Sequence, residues 1–406
     1  MDNRTLFLNN LAQTSDFPLA LEFVYAEGCY LYDKNHQPFL DLISGISVSN
    51  VGHRNPKVVQ AIKNQVDHYL HQMVYGEYIQ SPQVQLAEAL IHTLENYTTK
   101  DGHKIDNVYF TNSGTEAVEG AMKLAKRYTN RPEIVALKNS YHGSTQGALS
   151  LGEEHFKKNY RPLLPGIKKI KRNHFPDIEK ITKNTAAIII EPIGAEAGVV
   201  ETEFEFMDAL ANRCKKMGTL LVFDEIQTGF GRTGKFWALE HFGFCPDILL
   251  SAKGMGGGMP IGAFMAPKHI MSVFKDNPIL GHITTFGGHP VSCAASLATL
   301  SVILDEIDFK RVNQMSEKLK LLFMTLPQVS EVRGKGLLLA AEMPSFEILK
   351  NTIDNFIKNG ILTDWFLYCD NALRIAPPLN FSEADFELLS NCKLFNPKNS
   401  LENRLQ

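Results

Sequence analysis

The run "DILLSAKGMGGGMP" carries an apolar, strand-like stretch straight into Lys253 and then into a cluster of glycines that leaves space above the amine. Lysine is rarely drawn to a buried strand end without a partner. Desolvation there lowers its pKa and makes it a nucleophile toward a carbonyl, giving a Schiff base. The preceding strand-like run, "TLLVFDE", ends on Asp224 and Glu225, so a carboxylate on the neighbouring strand faces the far end of any bound aldehyde. A lysine for an aldehyde and a carboxylate to keep a ring nitrogen protonated are the pair that pyridoxal phosphate requires.

That cofactor also needs a phosphate site and a ring partner. In "NSGTEAVEGAMKLAKRY", Val118, Ala121, Met122 and Ala125 recur at helical spacing, Glu119 and Lys123 are placed to pair on the outer face, and Lys126 and Arg127 suit the C-terminal end. Ser113, Gly114 and Thr115 precede it, so hydroxyls and backbone N–H groups meet at a helix N-terminus, an anion site by geometry. "NSYHGST" puts Tyr141 and His142 in a loop after the strand "EIVAL", where an aromatic ring is available for stacking. Each signal is weak alone; in this order and at strand tips they reinforce one another.

A competing motif lies beside Asp224. Gly229, Gly231 and Gly234 in "LLVFDEIQTGFGRTG" spell G-x-G-x-x-G, the dinucleotide fingerprint of a nucleotide-dependent oxidoreductase. In that fingerprint the glycines end the first strand and open a helix. Here they sit in mid-chain, five or more residues past the strand, and "KFWALEHFG" follows. A tight surface turn with Arg232 free for an ion pair is the expectation.

The elements that must position these residues are legible as alternation. Between about 105 and 270, the continuous apolar runs "NVYF", "EIVAL", "AAIIIEP", "TLLVFDE", "DILLSAK" and "GAFMA" alternate with helical segments, which predicts an α/β fold with a mainly parallel sheet covered on both faces. From about 290, helical "VSCAASLATLSVILDEI" leads into a smaller α+β region. The expected divisions are an N-terminal segment 1–50 packing with the small domain, a large domain 51–290, a small domain 291–395 and a tail 396–406. A formal net charge of −3 offers no electrostatic footprint for nucleic acid or an anionic membrane, and no apolar run is long enough to span a bilayer. The N-terminus lacks an export pattern, so the expected location is cytoplasmic. The six cysteines contain no C-x-x-C pair, and no metal site or disulfide framework is expected.

Taken together, these residues resemble the class III pyridoxal-phosphate aminotransferases, the group that includes acetylornithine, ornithine and 4-aminobutyrate aminotransferases. The resemblance runs from "GCYLYDKNHQPFLDLISGISVSNVGHRNP" through "FTNSGTEA", "SYHG", "EPIGAEAG", "VFDEIQTGFGRTG", "SAKGMGGGMPIGA" and "TTFGGHP" to "RIAPPL". It implies the type I aminotransferase fold and ping-pong transfer of an amino group, a distal amine in the case of an amino acid, to a 2-oxo acid such as 2-oxoglutarate. It implies Lys253 as Schiff-base lysine and proton shuttle, Asp224 on the pyridine nitrogen, Gln227 beside the ring 3-hydroxyl, and Gly114 and Thr115 on the phosphate with Ser113 close by. Tyr141 would stack on the ring, and His142 and Glu191 belong to the same cofactor-binding set. Thr285 would reach the phosphate of the other subunit's cofactor, which implies a homodimer. Glu196 and Arg374 resemble the family's gating pair, with Arg374 binding the substrate α-carboxylate. Within the same fold, an aminomutase or a decarboxylase is the alternative activity.

Two departures bear on the substrate. The family continues the stacking aromatic as H-G-R-T, whereas Ser144 stands at the arginine's place, and a hydroxyl does not replace a guanidinium fork. Arg161, Arg172 or an N-terminal residue is then the candidate substitute for binding a donor carboxylate. Gly194 and Ala195 also replace the usual Gln-Gly beside Glu196.

Overall fold

A computed structural model of the chain describes residues 2–74 and 76–395; the expected tail at 396–406 lies outside the described residues. Seven strands make the central sheet: β1 (Asn107–Thr111), β2 (Glu133–Leu137), β3 (Ile167–Ile170), β4 (Thr185–Ile190), β5 (Leu220–Asp224), β6 (Ile248–Ser251) and β7 (Gly262–Ala266). Their spatial order is β1-β7-β6-β5-β4-β2-β3. The pairs from β6 through β3 are all parallel, and β7 alone runs antiparallel to both its neighbours.

The continuous apolar runs are explained by burial on both faces. Val135, Leu137, Ile188, Ile190, Leu221, Phe223 and Leu249 point into one core, and Ile134, Ala136, Ala187, Ile189, Val222, Ile248 and Leu250 into the other. Successive side chains alternate faces, so a strand buried on both reads as an unbroken apolar string. Helix Phe204–Met217 covers the first face through Phe206, Met207 and Leu210, and helix Gly114–Thr129 covers the second through Val118, Ala121, Met122 and Ala125. The edge strand β3, "IKKI", is absent from the strands expected from the sequence because Lys168 and Lys169 break its apolar run. Lys168 pairs with Glu133 at 2.9 Å and Lys169 with Glu153 at 3.2 Å, charges of the kind that blunt a sheet edge.

A second, antiparallel sheet is built from Glu331–Lys335, Leu338–Glu342, Cys369–Ile375 and Trp365–Phe366. Its core gathers Val312, Leu319 and Phe323 from helix Phe309–Met324 and Leu349, Ile353 and Phe356 from helix Phe346–Lys358. The N-terminal strands Phe23–Glu27, Tyr30–Asp33 and Pro38–Asp41 are antiparallel, and Ile361–Leu362 adds to them in parallel. Cys29, Leu40 and Leu42 join that same core. Helix Pro290–Glu306 instead buries Cys293, Ala295, Leu300, Val302 and Ile303 in the core of the large sheet.

The turn Gly229–Gly234 differs from expectation. It is buried, not on the surface, and among the described residues no α-helix opens from it; a single 3-10 turn, Ala238–His241, follows four residues later. Among the described residues Arg232 has no ion-pair partner; it is fully buried and donates to the carbonyls of Leu337 at 2.8 Å and Pro377 at 2.6 Å and to Asn50. Gly231 has φ +87°, and a Cβ there would lie 2.5 Å from Leu379. The glycines let backbone pass between the two cores, which removes the dinucleotide reading.

Candidate active site

The loops after adjacent strands converge at the carboxyl edge of the central sheet, the position where ligands bind in α/β folds. Asp224 ends β5, Lys253 follows β6, Glu191 follows β4, and Tyr141 and His142 follow β2. From β1, the chain enters helix Gly114–Thr129 through Ser113, whose Oγ accepts from the Glu116 N–H at 3.4 Å. A cavity of about 500 Å³ is lined by Ser113, Gly114, Thr115, Tyr141, His142, Glu191, Asp224, Gln227 and Lys253. It opens beside a second cavity of about 900 Å³ bounded by Ser144, Glu196, Arg374 and a wall of aromatic and aliphatic side chains.

Lys253 has a left-handed backbone, φ 45°, uncommon for a residue with a Cβ and of the kind that collects at functional sites. Its Nζ donates to Gln227 Oε1 at 3.0 Å. Burial lowers its pKa below that of an ordinary lysine, with Glu196 opposing. One oxygen of Asp224 lies 2.7 Å from His142 Nδ1, and the other accepts from the Ile226 N–H at 3.1 Å. Glu191 accepts from the backbone N–H groups of Tyr141 at 3.3 Å and Ala195 at 3.1 Å, and burial pushes its pKa up to about 7 against the charges of His142 and Arg172.

The set fits a phosphorylated pyridine aldehyde. Among the described residues, Gln227 Nε2 and His142 Nε2 are buried with no hydrogen-bond partner, and buried polar atoms of this kind call for a ligand. Asp224, Lys253 and the N-terminus of a sixteen-residue helix face the same cavity. Gly143, at φ +130°, lies against Thr115, where a Cβ would be 2.2 Å from Thr115 Oγ1, so the Tyr141 loop is seated on the helix start. Glu119 does not pair with Lys123. Its Oε1 accepts from Thr145 Oγ1 at 2.6 Å and from the N–H groups of Gly147 and Ala148, while Lys123 meets His282. Thr145 in turn touches Thr115 Oγ1 at 2.7 Å. The helix thus spends its charged face on holding the loop.

Thr285 is not brought to this site. It is exposed and lines neither cavity. Neither Arg161 nor Arg172 lines either cavity, so of the expected substitutes for the missing arginine, Arg161, Arg172 or an N-terminal residue, the two arginines are not at the site. Arg161 pairs with Glu154 at 2.7 Å on the surface, and half-buried Arg172 donates to the Glu191 carbonyl at 2.8 Å and to Thr202. Ser144 Oγ is 3.1 Å from the Tyr141 hydroxyl. Among the described residues, Lys253 and Arg374 are the lysine and arginine side chains that line the larger cavity, and the N-terminal segment contributes Thr14, Gly45 and Ile46.

Arg374 is almost fully buried. Its Nη1 and Nη2 each donate to Glu196 at 3.1 Å, and its Nε donates to Asp364 at 2.7 Å. Asp364 escaped the sequence reading because no motif marks it. The available signal was the hairpin "TDWFLYCDNALRI", whose pairing of Trp365 with Leu373 folds Asp364 back beside Arg374.

Comparison with known proteins agrees with this geometry. The family described as "Aminotransferase class-III" matches residues 12–392. The acetylornithine aminotransferase of Aquifex aeolicus is 37% identical over 388 residues, covering 92% of this chain and 95% of that protein. An ornithine aminotransferase structure from Toxoplasma gondii, described with partial occupancy of PLP at its active site, superposes with a TM-score of 0.88 at 26% identity, covering 99% of this chain and 95% of that one. The acetylornithine aminotransferase of Elizabethkingia anophelis superposes at 0.80 with 29% identity, each chain covered to 96%. These solved relatives share the type I architecture of a large mixed sheet and a smaller α+β part, and with a family match over nearly its whole length the chain belongs to the class-III aminotransferases.

Proposed function

We propose that the protein uses pyridoxal phosphate to move an amino group from a primary amine, the distal amine of an amino acid or a related amine, to 2-oxoglutarate in two half-reactions at one site. The observation that carries this reading is one cavity lined by the amine of Lys253, the Asp224–His142 pair and a helix N-terminus. When bound, the cofactor supplies an aldehyde for the amine and a protonated ring that withdraws electrons from the carbon losing its proton.

The protein's own groups do the rest. Asp224, held by His142 and the Ile226 N–H, keeps a proton on the ring nitrogen. Gln227 would offer the cofactor its Nε2, which has no partner among the described residues, while its Oε1 accepts from Lys253 Nζ. Gly114 and Thr115 offer N–H groups and a hydroxyl to the phosphate. Lys253, its pKa lowered by burial, takes and returns the proton at Nζ as general base and acid. Arg374 receives the α-carboxylate of the 2-oxo acid as a bidentate fork when Glu196 withdraws, and Glu196 re-covers it when the amine donor is present. Thr285, exposed in a stretch with exposed Ile283 and Phe286, reaches the site of a second copy, so the working unit is a homodimer.

A donor panel with 2-oxoglutarate tests the reading. Amino transfer requiring a 2-oxo acid, abolished in Lys253→Ala together with the bound cofactor's visible absorbance, is the expected result. Turnover of an amine with no 2-oxo-acid requirement overturns it in favour of an aminomutase or decarboxylase.

A further inference from the structure

The two carboxylates on Arg374 are held differently. Asp364 belongs to the same hairpin as the arginine: the Arg374 N–H donates to the Asp364 carbonyl at 2.9 Å, and the Thr363 hydroxyl donates to the Arg374 carbonyl at 2.6 Å. The guanidinium lies 4.3 Å from the Phe366 ring centroid, and Nη2 also donates to the Trp365 carbonyl at 3.2 Å. Its Nε edge is therefore tied to its own element, with the shorter ion pair, 2.7 Å, on that side. Glu196 comes from the distant turn between Ile193–Gly194 and Val200–Glu201 and takes the Nη edge at 3.1 Å on both nitrogens. Both carboxylates line the larger cavity.

We propose that Asp364 is a positioning residue for substrate carboxylates: it holds the Nε edge of Arg374 and balances its charge, so that Glu196 alone is exchanged. The proposal rests on the reading of Arg374 as the carboxylate site. A guanidinium so buried strongly resists losing its only counter-charge. With Asp364 fixed on Nε, release of Glu196 leaves a neutral pair and an unspent Nη1/Nη2 fork, the edge that matches a carboxylate in two parallel hydrogen bonds. Without Asp364, the Nε edge of Arg374 is untied, and Glu196 becomes its sole carboxylate partner and resists release.

The test uses the holoenzyme and two probes, glutarate as an unreactive dicarboxylate followed by calorimetry, and 2-oxoglutarate followed by steady-state rates. In Asp364→Ala, the glutarate Kd and the 2-oxoglutarate KM both rise about 10- to 100-fold while kcat changes far less, as expected for misplacement of a binding group. Asp364→Asn, which keeps an oxygen for Nε, recovers part of the loss and guards against misfolding of the alanine variant. An unchanged or lower glutarate Kd in Asp364→Ala, or a loss that falls on kcat alone, overturns the proposal. Arg374→Ala separates the two levels: if it retains glutarate affinity, the carboxylate reading of Arg374 fails, whereas lost affinity there with unchanged affinity in Asp364→Ala rejects only the role of Asp364.

Discussion

Replacing His142 with phenylalanine probes how Asp224 is held. The His142 side chain is fully enclosed and Asp224 nearly so, and their 2.7 Å contact is one of two hydrogen bonds on that carboxylate among the described residues. A hydrogen bond to a charged group contributes about 1.5–3 kcal/mol. If that contribution is what aims Asp224 at the ring nitrogen, its loss weakens cofactor retention by about 10- to 150-fold, since about 1.4 kcal/mol corresponds to a factor of ten. The assay is release of pyridoxal phosphate on dialysis, followed by absorbance, with the folded state checked by thermal melting. His142→Asn, which can still donate to the carboxylate, retains more cofactor than His142→Phe. A phenylalanine variant that holds the cofactor as tightly as the parent refutes the reasoning, because Asp224 would then be oriented without its histidine.

Two further outcomes follow from other parts of the structure. Ser144→Arg places a guanidinium beside Tyr141, in a cavity whose present arginine is occupied by Glu196 and Asp364; kcat/KM for donors bearing a distal carboxylate should rise about tenfold or more over carboxylate-free amines, and no change in that ratio counts against the reading of Ser144. Glu225 is buried, accepts from the Ala238 and Leu239 N–H groups, and is pushed by burial up to about 8 from 4.5, so the native state holds the proton and stability falls as pH rises between those values. Glu225→Gln removes that slope, so its melting temperature relative to the parent improves from pH 5 to pH 8.5; a parallel pair of curves contradicts the assignment.

The Lys253–Asp224 pairing was legible because strands buried on both faces are written as continuous apolar runs, and such runs stop where the chain reaches the carboxyl edge of the sheet. Strand β3 was illegible for the same reason reversed: Lys168 and Lys169 interrupt its pattern, and their partners Glu133 and Glu153 are distant in sequence. The glycines of "GFGRTG" were legible as a turn but not as a buried one. Only packing places Arg232 on the carbonyls of Leu337 and Pro377, more than a hundred residues away. Glu119 shows the limit of helical spacing, which puts it one turn from Lys123 yet says nothing of the loop N–H groups that compete for its carboxylate.

By itself, then, the amino-acid order determined the fold class, the family and the chemical kinds at the site, since these depend on local periodicity and on residue types at strand ends. The tertiary structure decided which groups meet: His142 on Asp224, Gln227 on Lys253, and Asp364 with Glu196 on one arginine. Hydrogen bonds and ion pairs act over about 3 Å, so they are set by how separate elements pack and not by the spacing of residues along the chain.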